Sequence, residues 1–79
     1  MMGKAGMRSF TRSEKILADA VRRELPFAEV FAIDEIGLFV MVLAEVQEPE
    51  AHDVVAAVRR MHRVSDPSID RIPVTIGSK

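Results

Sequence analysis

The run from Leu38 to Val46, LFVMVLAEV, constrains the fold more than any other part of the chain. It is apolar except at Glu45 and rich in residues that favour β-strands. Successive side chains of a strand face opposite sides of the sheet, so Phe39, Met41 and Leu43 share one face. The other face carries Leu38, Val40, Val42, Ala44 and Val46. Both faces are apolar, so each needs cover from another part of the chain or from another molecule.

Helices are predicted on either side of this region. Thr11-Arg12-Ser13-Glu14 has the form of a capping box, and the first helix should end near Pro26. Its predicted buried stripe is Ile16, Leu17, Ala20, Val21 and Leu25. Its predicted solvent face is Glu14, Lys15, Asp19, Arg22 and Arg23. The second helix follows Pro49, and its predicted buried stripe is Ala51, Val54, Val55, Val58 and Met61.

Two further strands complete the predicted fold. Residues 28–34 should pair with the apolar run through a turn at Glu35-Ile36-Gly37. Residues 69–76 should form an edge strand, since Pro73 cannot donate to a ladder, and a right-handed crossover should set it parallel to the second strand. The prediction is an α+β, α-β-β-α-β two-layer sandwich, a three-stranded mixed sheet with two helices on one face. Residues 1–10 are assigned to a flexible arm and 11–79 to a single domain.

Composition favours self-association. The chain has 79 residues, no cysteine and a formal net charge of -1. A domain of this size buries only about 60% of the surface of its unfolded chain, and it has no disulfide to add stability. We therefore expect a homodimer with Phe39, Met41 and Leu43 as the partner face. The alternative is that the chain's own ends cover that face.

Several function classes are disfavoured. The net charge and the lack of Trp and Tyr argue against binding of nucleic acid. The glycines are scattered and form neither a phosphate loop nor a nucleophile elbow, so we predict that the protein is not an enzyme. No secretory signal or bilayer-length apolar run is visible, which favours a cytoplasmic location.

A metal site is the remaining chemical hypothesis. His52 lies beside Glu50 and Asp53, and imidazole and carboxylate groups suit a borderline divalent ion such as zinc. Residues one or two apart on a helix do not face the same way, so these three cannot close on one ion by themselves. The alternatives are a solvated side chain or a site shared across a dimer. His62 is expected to act at the helix C-terminus, where the dipole favours a positive charge.

The chain from about Ser13 to Ile76 resembles the C-terminal cytosolic domain of the cation diffusion facilitator family, which exports metal cations. The resemblance is carried by the element order, the hairpin at Gly37, Glu50-Ala51-His52 at the start of the second helix, and the closing strand at residues 72–76. It implies a ferredoxin-like, metallochaperone-like sandwich that forms a homodimer. It also implies a divalent metal (Zn, Fe or Mn) near the dimer interface.

Only His52 matches a metal position of that family, with Glu50 and Asp34 as weaker candidate ligands. Leu43 and Gly77 stand where members with strong sites have histidines. The resemblance therefore implies a regulatory and dimerisation domain of a metal efflux transporter, with weak or absent metal binding. It would lie at the cytosolic side of the inner membrane, with a transporter domain of the same or a related chain as a further partner. The alternative is an interaction module of another α-β-β-α-β class, BON-like or ring-building.

Overall fold

The computed structural model describes residues 6–43 and 47–78. Within these residues the fold is α+β, with two α-helices and a four-stranded mixed sheet, which confirms the predicted class. The elements in chain order are β1 (Met7–Arg8), α1 (Arg12–Glu24), β2 (Ala28–Ile33), β3 (Gly37–Val42), α2 (Glu48–His62), a 3-10 helix (Pro67–Arg71) and β4 (Val74–Ser78).

The strands lie in the order β1-β2-β3-β4. β2 and β3 form the predicted antiparallel hairpin, and β4 pairs parallel with β3, as the crossover rule requires. β3 is therefore a central strand and β4 an edge strand. The predicted second strand extended to Val46, but residues 44–46 lie outside the described residues.

The predicted number of strands and the predicted start of the last strand were wrong. Residues 1–10 were assigned to a flexible arm, of which residues 1–5 lie outside the described residues. Met7 and Arg8 pair antiparallel with Ile33 and Ala32, so the sheet has a fourth strand. Residues 69–76 were assigned to one strand, but Pro67–Arg71 is a 3-10 helix. Asp66 caps that helix by accepting a hydrogen bond from the Ser68 N–H (3.1 Å). The strand begins only after Pro73.

The core lies between the helices and one face of the sheet. Val30, Ala32, Leu38, Val40 and Val42 are buried there together with residues of both helices. The helical contribution is Leu17, Ala18, Ala20, Val21, Ala51, Val55 and Val58. Strand side chains alternate, so the helices cover this face, and no other element of residues 6–43 and 47–78 covers the opposite one.

Two of the predicted helix faces need correction. Glu14 was assigned to solvent but is only 5% exposed, because Arg8 of β1 reaches over it. Met61 was assigned to the buried stripe but is 70% exposed. It lies on the side of α2 that borders α1, opposite Arg23, rather than on the side that faces the sheet.

Gly37 positions β3 against β4. Its φ is 100°, in the left-handed region that side chains disfavour. A Cβ built there would lie 2.5 Å from the carbonyl oxygen of Pro73. That same carbonyl accepts the Leu38 N–H at 2.9 Å, so the close approach belongs to the β3–β4 ladder.

Candidate interaction surface

The structure separates the predicted metal ligands. His52 and Glu50 are exposed near the start of α2. That end of α2 lies where β3 ends, because Ser78 pairs with Val42 and its hydroxyl donates to Glu48 Oε2 (2.6 Å). Asp34 follows β2 at the opposite end of the sheet, about 20 Å away at the rise of a six-residue strand. Asp34 therefore does not join the other two.

The remaining geometry offers little to a metal ion. Asp34 lies 3.3 Å from Arg8 Nε, so its carboxylate already has a cationic partner. Glu50 and His52 are two residues apart on one helix and point in different directions. In residues 6–43 and 47–78 no three His, Cys, Asp or Glu side chains come together as a cation site would need.

A cluster that the sequence did not reveal joins β1 to α1. Arg8 donates to both oxygens of Glu14, at 2.6 and 2.9 Å, in a bidentate pair. The predicted capping box is confirmed: the Thr11 N–H donates to Glu14 Oε1 (2.9 Å), and the Glu14 N–H donates to Thr11 Oγ1 (3.2 Å). Arg8 therefore turns an ordinary helix cap into a tie between the first strand and the first helix.

The environment of Glu14 favours its ionised form. The hydrogen bond from Arg8 is the main cause, with a smaller contribution from the Thr11 backbone, and together they outweigh burial and lower the pKa of Glu14 to about 2. The pKa of Arg8 is raised by the same pair. The pair has a structural role, because Arg8 and the Thr11 N–H already donate hydrogen bonds to the Glu14 carboxylate. The sequence signal that could have found it is the arginine shortly before the capping box.

Glu14→Gln is expected to lower the free energy of unfolding by about 2 kcal/mol at pH 7. A carboxyl whose pKa falls from 4.5 to about 2 on folding stabilises the fold above pH 4.5, and this contribution is lost as the pH falls toward 2. Urea unfolding at pH 7 and pH 2.5 should therefore show a penalty that shrinks in acid. Glu24→Gln, at an exposed acid on the same helix, is the matched control and should cost under about 0.5 kcal/mol. A Glu14→Gln penalty that did not change with pH would contradict this assignment.

A hydroxyl–carboxylate pair links α1 to the 3-10 helix. Ser13 Oγ donates to Asp66 Oδ2 at 2.6 Å, and this bond is the main cause of the lowered pKa of Asp66. Asp66 Oδ1 also accepts from the Ser68 N–H (3.1 Å), so both carboxylate oxygens take part in hydrogen bonds that hold the 3-10 helix. The pair fastens the 3-10 helix.

A groove of about 180 Å³ runs between α1 and α2. Small-molecule sites usually enclose about 300 to 1,000 Å³, so this groove is smaller than a typical ligand site. Its lining is Ala20, Arg23, Glu24, Val54, Ala57, Val58, Met61 and His62. It is better explained as the gap between two helices than as a ligand site.

The side of the sheet opposite the helices is apolar. We define the outer sheet face as the side chains that alternate with the core: Met7, Phe31, Ile33, Phe39, Met41 and Leu43. Met7 is 72% exposed and the others are half-buried. Phe39 pairs with Phe31 across the hairpin, and its ring lies over Gly77, where a Cβ would come within 3.0 Å of it. The predicted partner residues Phe39, Met41 and Leu43 thus belong to one surface.

Comparison with known proteins adds no family assignment. No protein-family model matches the chain, and neither the curated proteins nor the solved structures contain a significant match. In the two described segments, no helix combines the length and the apolar composition that crossing a bilayer requires.

Proposed function

We propose that this chain is a homodimerisation domain that stacks its outer sheet face against the same face of a second copy. The observation that carries the proposal is the one-sided core. Helices cover only one face of the sheet, and the other face exposes two phenylalanines and two methionines among its side chains. An apolar sheet face is stabilised when a second sheet packs on it at about 10 Å.

The low charge of the outer sheet face favours a second copy of the chain as its partner. Glu29 is the one charged side chain that strand alternation sets on this face of β2 and β3. Two such faces can therefore meet with little like-charge repulsion, whereas a partner recognised by its charge would find almost nothing to pair with.

The size of the face sets the expected affinity. Three strands of five or six residues, about 4.8 Å apart and about 20 Å long, give roughly 300 Å² in plan, and the two-residue β1 adds little. That is less than half of what each partner contributes to a standard interface. We therefore expect a dimer that dissociates at micromolar concentrations, not a permanent one.

Met41→Lys is expected to weaken the dimer at least tenfold without unfolding the chain. Met41 is half-buried in the middle of the outer sheet face, and a facing copy would strip water from the new charge. Sedimentation velocity at several concentrations measures the association, and circular dichroism checks the fold. Ala57→Lys adds the same charge at an exposed site on α2 and should leave the association unchanged. Equal dimer formation by Met41→Lys and the unmodified chain would rule out this face.

A narrower proposal is that this chain is the regulatory, ferredoxin-like domain of a metal efflux transporter and that its metal binding is weak or absent. What supports it is the order α1-β2-β3-α2-β4, which follows the additional strand β1, and the exposed His52 near the start of α2. What limits it is the separation of Asp34 from His52 and Glu50. The alternative, an interaction module of another class with the same element order, is supported equally by the outer sheet face and needs no metal.

Zinc titration separates these two settings. His52→Ala is expected to change the free energy of unfolding in metal-free buffer by less than about 0.5 kcal/mol, since the side chain is exposed. If the transporter setting holds, zinc should tighten the dimer measured by sedimentation velocity, and His52→Ala should abolish that response. A dimer that ignores zinc in both proteins would favour the metal-independent module.

A further inference from the structure

The two edges of the sheet differ in how they are protected. The β2 edge is blocked: β1 pairs with Ala32 and Ile33, and Arg22 donates to the carbonyl oxygen of Val30 at 3.0 Å. Arg22 also lies over the ring of Phe10, 5.2 Å from its centre, which holds the guanidinium at this edge. An added strand would have to displace these groups.

The β4 edge has no comparable protection. Its sequence, VTIGS, contains no charged residue and no proline, which are the usual means of blocking an edge. Pro73 O accepts from Leu38, so alternation directs the backbone groups of Thr75 and Gly77 toward β3. The N–H and C=O groups of Val74, Ile76 and Ser78 therefore point away from the sheet. Within the described residues no strand pairs with them.

We propose that β4 pairs antiparallel with β4 of a second copy, about a two-fold axis through Ile76. Ile76 of each copy would exchange two hydrogen bonds with Ile76 of the other. Val74 of each copy would pair in the same way with Ser78 of the other, because the outward-pointing residues recur every second position. The product is a continuous eight-stranded sheet with all helices on one side.

The charges of α2 support a second copy as the occupant of this edge. α2 runs antiparallel to β4, with Glu48 at the Ser78 end and Arg59 donating to the carbonyls of Ile69 and Ile72 at the other end. Its first turn is acidic and its last turn is basic. The two-fold axis sets the two α2 helices antiparallel, so the acidic end of each is directed toward the basic half of the other. This arrangement is self-complementary in charge.

The edge and the outer sheet face are independent surfaces that can act together. The edge axis is perpendicular to the sheet, whereas the axis that relates two stacked faces lies parallel to the sheet. Two perpendicular two-fold axes that intersect close into a tetramer instead of a fibre. Blocking one surface should therefore leave a dimer held by the other.

Amide hydrogen exchange tests the edge directly, with β4 as its own control. The Met41→Lys protein, labelled with ¹⁵N, is examined by NMR from low micromolar to millimolar concentration, so that association through the outer sheet face is weakened. We expect the Val74 and Ile76 amides to exchange at least tenfold more slowly as the dimer forms. The Thr75 and Gly77 amides, already bonded to β3, should be protected at every concentration. Stacking of sheet faces would not produce this alternation.

A chemical variant gives a second readout. N-methylation of Ile76 in a chain assembled by ligation removes only an outward N–H and keeps the side chain. In the Met41→Lys background it should convert the remaining dimer to monomer in sedimentation velocity, whereas the unmethylated ligation product should stay dimeric. Fast exchange of Ile76 at millimolar concentration, whether the protein is then monomeric or dimeric, would overturn the edge proposal. Slow exchange of Ile76 with no effect of Met41→Lys on association would overturn the face proposal alone.

Discussion

Val42→Asp is expected to leave the chain unfolded at 25 °C. Val42 is 1% exposed at the end of the central strand, on the face that the helices cover. An unpaired carboxylate there costs several kcal/mol, whereas a chain of 79 residues has a total stability of roughly 4 to 12 kcal/mol. Circular dichroism and the loss of amide dispersion in NMR spectra would report the unfolding.

The neighbouring residue supplies the control for this experiment. Met41→Asp adds the same charge one position earlier, but on the outer sheet face, and should cost only about 1 kcal/mol in the monomer. A cooperative thermal transition of Val42→Asp close to that of the unmodified chain would mean that the core does not lie on this side of β3.

Gly37→Ala is expected to lower the free energy of unfolding by about 3 kcal/mol or more. The methyl group would force an alanine into a φ of 100° and press against Pro73 O at 2.5 Å. Relief of this contact requires β3 and β4 to separate at the point where Leu38 donates to Pro73. For a domain of this size the midpoint of thermal unfolding should fall by more than about 10 °C.

Gly6→Ala is the matched control, because nothing lies within 4 Å of a Cβ built at Gly6. Its thermal midpoint should stay within about 3 °C of the unmodified chain. If both variants melted at the same temperature as the unmodified chain, the tight β3–β4 contact would be absent in solution.

Val42→Asp and Met41→Asp place the same charge on opposite faces of β3, and the contrast between them bears on function. Val42 faces the core, whereas Phe39 and Met41 face outward and are left for a partner. A charge on one side of β3 should therefore destroy the fold, and on the other side it should destroy association. Such a difference would show that the outer sheet face serves association and is not a second part of the folding core.

Local patterns in the sequence were enough to predict most of the architecture. Helical spacing predicted α1 and the buried Ala51, Val55 and Val58 of α2, and the capping box predicted where α1 begins. Alternation predicted the two faces of β3 and its pairing with β2. These features depend on residues a few positions apart, whose geometry is fixed by the backbone period.

The errors fall where distant residues decide the structure. Glu14 was predicted to face solvent because helical periodicity places it on the polar side of α1. That periodicity cannot show that Arg8 of β1 covers it. Ile69 was predicted to begin a strand because the run to Ile76 alternates apolar and polar residues. Its side chain is instead fully buried and belongs to a 3-10 helix that Asp66 and Ser13 hold in place. The candidate metal ligands Asp34 and His52 lie a strand length apart within one chain, and a site shared across a dimer stays a prediction.

The sequence by itself determined the α+β class, the hairpin, the parallel crossover and the apolar character of both faces of β3. Only the tertiary structure decided that β1 blocks one sheet edge and that β4 leaves the other edge unprotected. The physical reason is that periodicity fixes which side chains share a face, whereas cover depends on contacts between elements far apart in the chain.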